Sequence, residues 1–179
     1  MPRKIIIYKD SNSPAIELKN SDFSIRKATM KDIEGMNRVW GEVEEQHAAA
    51  LPRIFRRVPN PTRDRRYVAS ILSDPNAAIF IALHEGKIIG LIQVMMQEAP
   101  NIPYMVPRRY AKVSDLVVAH EFQHNGTGSM LMAEAEKWAT EKRARSMELN
   151  VYEFNEGARA FYQNQGYETG SRMMWKELK

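Results

Sequence analysis

Apolar and polar positions alternate at period two through Phe23-Ser24-Ile25-Arg26-Lys27-Ala28, which predicts a strand. Thr29 and Asp32 then stand three apart, close to a capping box with Asp in place of the usual Glu or Gln, so the strand hands over to a helix. Ile33, Met36, Trp40 and Val43 recur at spacings of three and four, predicting an amphipathic helix over about residues 30–47 with one buried stripe. Pro52, Pro59 and Pro61 break that pattern. A second helix is predicted from Thr62 to Ser73, with Tyr67, Val68, Ile71 and Leu72 inward, before a turn at Asp74-Pro75-Asn76.

Ala78 to His84 and Lys87 to Met96 are apolar, β-branched runs joined by Glu85-Gly86, which predicts a tight antiparallel hairpin. A loop with Pro100, Pro103 and Pro107 leads to a strand from Tyr110 to Ala119, and a glycine-bearing turn leads to a helix from Ser129 to Arg143. Leu131, Ala135, Trp138 and Ala139 share one face of that helix. Met147 to Tyr152 alternates again, and a helical crossover between two strands suits a parallel pair. Asn155 can cap a last helix, which Gly166 ends. Residues 1–22 read as an N-terminal extension, leaving 23–179 as the folded domain.

Composition narrows the chemistry. A chain of 179 residues with 44% hydrophobic content is enough for one domain with a real core. No apolar run reaches the roughly 18 residues of a membrane span, and the first residues have too short an apolar stretch for a signal peptide, so no membrane and a cytoplasmic location are expected. Zero cysteines exclude disulfides, a thiolate zinc site and a cysteine nucleophile, and with four scattered His no metal is expected. The charge of +4 is concentrated in Arg53, Arg56, Arg57, Arg63, Arg65 and Arg66. That cluster is either an anion-binding surface or a solvated loop and helix face. Nucleic acid is the less favoured partner, because no aromatics alternate with these arginines.

The most informative stretch is Asp115-Leu-Val-Val-Ala-His-Glu-Phe-Gln-His-Asn-Gly-Thr-Gly-Ser-Met-Leu, since a predicted strand enters it and a predicted helix leaves. A turn with Gly126 and Gly128 at a helix start exposes backbone N–H groups, lets a ligand approach closely and adds the helix's positive end, a combination suited to a pyrophosphate. The same two glycines also suit an ordinary strand-to-helix turn. A Walker A loop fails, because Ser129 and Met130 follow Gly128 where Lys and Ser or Thr are needed. The dinucleotide fingerprint fails as well, with Leu131 at its third glycine position.

Gln123, Gly126 and Gly128 match the hallmark of the GNAT superfamily of N-acetyltransferases: Gln or Arg, two residues, Gly, one residue, then Gly or Ala. The strand Leu116-Val117-Val118, the helix after the turn, the next strand, the pairs Phe161-Tyr162 and Gly166-Tyr167, and the element order from Phe23 onward are also similar to that family. The resemblance implies an α/β fold with a mixed, mostly antiparallel sheet, splayed at a parallel strand pair and flanked by helices. It implies acetyl-CoA as cosubstrate, with its pantetheine arm in a slot between residues 115–118 and 149–152. A freed N–H near Val118 would meet the thioester carbonyl. Leu116, Val117 and Val118 would line the arm, donors from Gln123, His124, Asn125, Gly126, Thr127, Gly128 and Ser129 would hold the pyrophosphate, and Asn155 would contact the cofactor.

Tyr162 matches the family's frequent general acid, although a Tyr there also suits core packing. The attacking amine must be neutral, so a base or water chain is needed at neutral pH. Glu44 and His47 lie three apart near the end of the first helix and Asp115 lies on the strand leading to the acyl site; each is a candidate, and Glu44 and Asp115 are preferred. His47, Phe55 and Tyr104 are candidates for the acceptor pocket, as are Pro103 and Met105. The predicted reaction is direct transfer to a primary amine in a ternary complex, without an acyl-enzyme. A homodimer is also implied. Two other classes stay open: an acyl-CoA-binding sensor without catalysis, and a nucleic-acid- or ribosome-associated protein that uses Arg53 to Arg66.

Overall fold

The computed structural model describes residues 23–58 and 63–178. The expected extension, residues 1–22, lies outside them, as do Pro59, Pro61 and Thr62. The elements are β1 (Phe23–Lys27), α1 (Ile33–Ala50), α2 (Arg65–Ser73), β2 (Ala77–His84), β3 (Lys87–Glu98), β4 (Arg109–Val118), α3 (Thr127–Glu141), β5 (Met147–Leu149) and α4 (Glu156–Asn164). The five strands form one sheet in the order β1-β2-β3-β4-β5, antiparallel except for the parallel pair β4 and β5. This is the mixed, mostly antiparallel sheet that the sequence led us to expect.

Both faces of the sheet are covered, which is why β2 and β3 read as near-continuous apolar runs rather than alternating ones. Phe80, Ile92, Leu131, Met132 and Trp138 pack on the α3 face, and Met36, Val39, Trp40, Val68, Ile79 and Leu91 on the α1 and α2 face. Glu85 and Gly86, at φ 50° and 76°, make the predicted hairpin between β2 and β3. At the start of α1, the Asp32 carboxylate accepts from Arg26 Nη1 and Nη2 (2.8 Å each), Thr29 N (2.7 Å) and Thr29 Oγ1 (2.9 Å).

Most boundaries shift by one or two residues from the sequence reading, and those of α1, α2 and β5 shift with a visible cause. A 3₁₀ turn over Met30–Asp32 precedes α1, which continues to Ala50. α2 starts at Arg65 because the Asp64 side chain caps it, accepting from Tyr67 N at 2.7 Å. Tyr67 does not point inward; it is 41% exposed, and its hydroxyl accepts from the buried Gln93 Nε2 at 3.3 Å. β5 ends at Leu149 rather than Tyr152, because its pairing with β4 stops at Val113. That early ending leaves β4 unpaired on this side beyond Val113.

Candidate active site

β4 carries one residue more than β3 opposes. The register passes from Gln93↔Asp115 to Val94↔Val113, leaving Ser114 as a bulge. One extra residue exchanges the faces of every side chain beyond it. Ala111 and Val113 pack on the α3 face, whereas Val117 packs on the α1 and α2 face. Asp115 is turned toward α1 in the same way.

The bulge also redirects the backbone. Ala119 N donates to Ile89 O at 2.8 Å, and Val117 lies opposite Leu91, so residues 115, 117 and 119 direct their backbone groups at β3. Leu116 and Val118 therefore direct their N–H groups at β5, where pairing has already ended. The gap is part of a cavity of about 610 Å³ lined by Ser114 to Val117 and Leu149 to Tyr152, with Glu44 and His47 of α1 at one side and Asn155, Ala158 and Tyr162 at the other. Val118 is not on that lining, and its carbonyl accepts from Gln123 Nε2 at 3.1 Å.

The turn between β4 and α3 has left-handed backbone at His124 (φ 61°) and Gly126 (φ 75°). The first intrahelical bond of α3 runs from Met130 N to Gly126 O at 3.0 Å, so the N–H groups of Thr127, Gly128 and Ser129 precede it. No acidic residue occupies this first turn. Asn125 and Thr127 are buried, and Thr127 Oγ1 has no partner among the described residues. Gln123, His124 and Gly126 are exposed. Ser129 Oγ accepts from Gln165 Nε2 at 3.1 Å, joining the turn to the end of α4. At Gly128 an added Cβ would come into contact with the Phe161 ring of α4 at 3.4 Å.

The α1 side of the cavity is a charged cluster that sequence reasoning dispersed. Arg63 forms ion pairs with Glu44 and, at 3.6 Å, with Asp115, and its guanidinium lies 5.0 Å over the Trp40 ring. Asn37 on α1 fixes its backbone, donating to Arg63 O at 3.0 Å and accepting from Arg63 N at 3.3 Å. Burial pushes the Asp115 carboxyl above the usual range, opposed by Arg63, the Trp40 indole and His47. Trp40 Nε1 itself is buried and makes no well-formed hydrogen bond. Burial, with a smaller contribution from Asp115, pushes the Tyr162 hydroxyl up to about 12.

Of the acceptor candidates, His47 and Phe55 line the cavity, with ring centroids 5.2 Å apart, and Tyr152 lies 5.3 Å from His47. His47 Nδ1 is 2.7 Å from Val43 O. Tyr104 is 86% exposed and, like Pro103 and Met105, is not among the residues that line the cavity. Asn155 does two things: it caps α4, accepting from Ala158 N at 3.0 Å, and it lines the cavity. The arginine segment is not a continuous basic patch. Arg53 pairs with Glu177 (3.1 Å), Arg57 with Glu45 (2.6 Å), and Arg63 turns into the site. Arg56, Arg63 and Ser114 line the cavity although the sequence reading did not place them at the acyl site.

A family model described as "Acetyltransferase (GNAT) family" matches residues 31–167. The chain belongs to the GNAT family. It is an acetyltransferase, and the N-acetyltransferases among its relatives agree. Aminoalkylphosphonate N-acetyltransferase of Salmonella typhimurium is 30% identical over 110 residues, 62% of this chain and 69% of that protein. A solved structure of a mutant BH1408 protein from Bacillus halodurans matches this GNAT chain with a TM-score of 0.83 at 26% identity, covering 87% of this chain and 99% of that one. The aminoglycoside N-acetyltransferase AAC(6')-Iy, solved in complex with CoA, matches with a TM-score of 0.66 at 18% identity, covering 88% and 95%; that likeness is one of fold alone.

Proposed function

We propose that this GNAT protein transfers the acetyl group of acetyl-CoA directly to a primary amine held beside Asp115. The observation that carries the reading is the loss of β4–β5 pairing beyond Val113 and Leu149, which leaves the Leu116 and Val118 N–H groups directed to the β5 side with no strand to pair with. The pantetheine arm takes the place of the missing strand. Its pyrophosphate lies on the turn from Gln123 to Ser129, where free N–H groups and the positive end of α3 neutralise it. A protein of the same fold is solved in complex with CoA, which supports acyl-CoA as the donor, and the aminoalkylphosphonate and aminoglycoside acetyltransferases support an amine acceptor.

The thioester carbonyl sits at the Val118 N–H, whose hydrogen bond strengthens as negative charge develops on oxygen. A lysine-like amine has a pKa of about 10.4, so it must lose a proton before attack. Asp115 accepts it: its carboxyl is buried beside the slot, raised in pKa, and kept within reach of the ionised form by Arg63. Glu44 holds the other side of Arg63. The C–N bond then forms as the C–S bond breaks, and the second proton lost by the nitrogen passes to the departing thiolate, giving the free thiol of CoA. Tyr162 at about 12 remains protonated throughout. Full transfer of its proton to a thiolate of pKa about 8.5 is uphill by roughly 5 kcal/mol, so Tyr162 stabilises the leaving sulfur as a hydrogen-bond donor.

A homodimer and a cytoplasmic location remain part of this proposal. Residues 168–178 carry Met173, Met174, Trp175 and Leu178, which are 58–87% exposed and which a second copy would cover. Light scattering then gives a mass near twice 20.6 kDa. No helix among the described residues is long and apolar enough to cross a membrane.

The test is thiol release from acetyl-CoA with a panel of primary amines, with the acetylated product identified by mass. Amine-dependent release that Asp115→Asn slows by about 10²-fold or more supports the assignment. Release that ignores the amine, or an unimpaired Asp115→Asn, contradicts it.

A further inference from the structure

The cavity's acceptor side is lined by four charged side chains, and three of them form one closed set. Glu44 and Asp115 both engage Arg63, which is also fixed by Asn37 and by its stacking on Trp40. The fourth is Arg56, which lines the cavity and has no ion pair among the described residues. Its neighbours in the chain differ. Arg53 and Arg57 are paired with Glu177 and Glu45, and neither lines the cavity. A polycationic acceptor therefore meets no free carboxylate on this wall, whereas a negative group meets an available guanidinium.

Arg56 follows Phe55, whose ring packs edge-on against His47 and Tyr152 at 5.2 and 5.4 Å. Ile54 and Val58 of the same segment also line the cavity. The wall thus presents aromatic and aliphatic side chains with one cation beside them, and Asp115 lines the same cavity.

We infer that the acceptor is a small zwitterionic amine, with an apolar body on the Phe55, His47 and Tyr152 rings and a carboxylate or phosphonate on Arg56, and that Arg56 determines this specificity. The inference rests on the acetyl-transfer reading above. It adds which amines are taken.

The experiment measures kcat/KM for matched acceptors that share an arylalkylamine skeleton and carry a carboxylate, a phosphonate, a neutral carboxamide or a second amine. Wild type is expected to favour an anionic member over the carboxamide by about tenfold or more, the scale of one charge-assisted hydrogen bond. The carboxylate and phosphonate arms show which anion the site takes. Arg56→Gln brings the ratio to about one, Arg56→Glu inverts it in favour of the diamine, and Arg57→Gln leaves the ratio as in wild type. Equal use of the carboxamide or diamine by wild type, or an anion preference that survives Arg56→Gln, overturns the inference while leaving acetyl transfer intact. Acetyl-CoA titration in parallel separates the two failures. No acetyl-CoA binding and no turnover of any amine would remove the acetyl-transfer reading and this inference with it.

Discussion

Gly90 lies on β3 opposite Val118, and a Cβ built there meets Val117 O at 2.9 Å. Comfortable C···O contacts begin near 3.3 Å, so Gly90→Ala requires about 0.4 Å of movement. The obstacle is backbone and cannot rotate aside. Overpacking of this kind costs about 1–3 kcal/mol, offset by about 0.5–1 kcal/mol from restricting the unfolded chain. A net loss of about 1–2 kcal/mol lowers Tm by roughly 2–8 °C in a chain of this size. Val117 O and the Val118 N–H belong to one peptide plane, so the same push tilts the donor assigned to the thioester carbonyl. Turnover is expected to fall by about tenfold or more. Gly35→Ala is the internal comparison, because its Cβ meets Ile88 Cδ1 at 2.8 Å, the far end of a side chain that can rotate. It also gains about 1 kcal/mol of helix propensity within α1, so little net change is expected. Thermal melts followed by circular dichroism, with thiol-release kinetics on the same samples, make the measurement. Gly90→Ala melting with wild type at full turnover, or Gly35→Ala proving the more damaging, would refute the reasoning.

Further outcomes follow from the charged groups. Tyr162→Phe should lower kcat by about 10- to 100-fold with little change in the KM for acetyl-CoA, and wild type should show no alkaline loss below about pH 10 from this residue, because its hydroxyl titrates near 12. Arg63→Gln removes the group that opposes the rise of the Asp115 carboxyl, so the ascending limb of the kcat/KM against pH profile should move to higher pH. An unmoved limb would show that Asp115 is not the base. The Asp32 carboxyl is held well below its usual range by hydrogen bonds from Arg26 and then from Thr29. A depressed carboxyl stabilises above its unfolded pKa and loses that contribution as pH falls through the folded value. Asp32→Asn should therefore cost about 1–2 kcal/mol at pH 7 in thermal or urea unfolding, with the difference narrowing below about pH 4.

Local chemistry made much of the fold legible. The Glu85-Gly86 hairpin, the Asn155 cap and the helix after the glycine turn each depend on residues adjacent in sequence. What could not be read depended on partners far along the chain. Residues 147–152 alternate throughout, yet only Met147 to Leu149 find β4 within reach, and alternation carries no record of where pairing stops. The pattern of residues does not mark the Ser114 bulge either, although the family resemblance implies one in this strand and it decides that Asp115 faces α1. Arg63 looked like one member of a solvated cluster. It became part of the site because Asn37, Trp40 and Glu44 line up on α1, a spacing that α1 periodicity contained but whose partner it could not name. Tyr104 stands exposed outside the cavity lining, a placement that an apolar ring in a loop does not reveal in sequence.

The most direct measurement is calorimetric titration of acetyl-CoA into wild type and Ser129→Glu, with ATP as comparator. Glu in the first turn of α3 suits the helix end, so the variant should fold, while its charge repels a pyrophosphate bound there. The account predicts micromolar binding of acetyl-CoA to wild type, weak binding of ATP, and loss of acetyl-CoA binding in a Ser129→Glu protein with an unchanged melt. Folded wild type that does not bind acetyl-CoA, or a Ser129→Glu variant that binds it as tightly as wild type, would contradict the assignment of the slot and its turn.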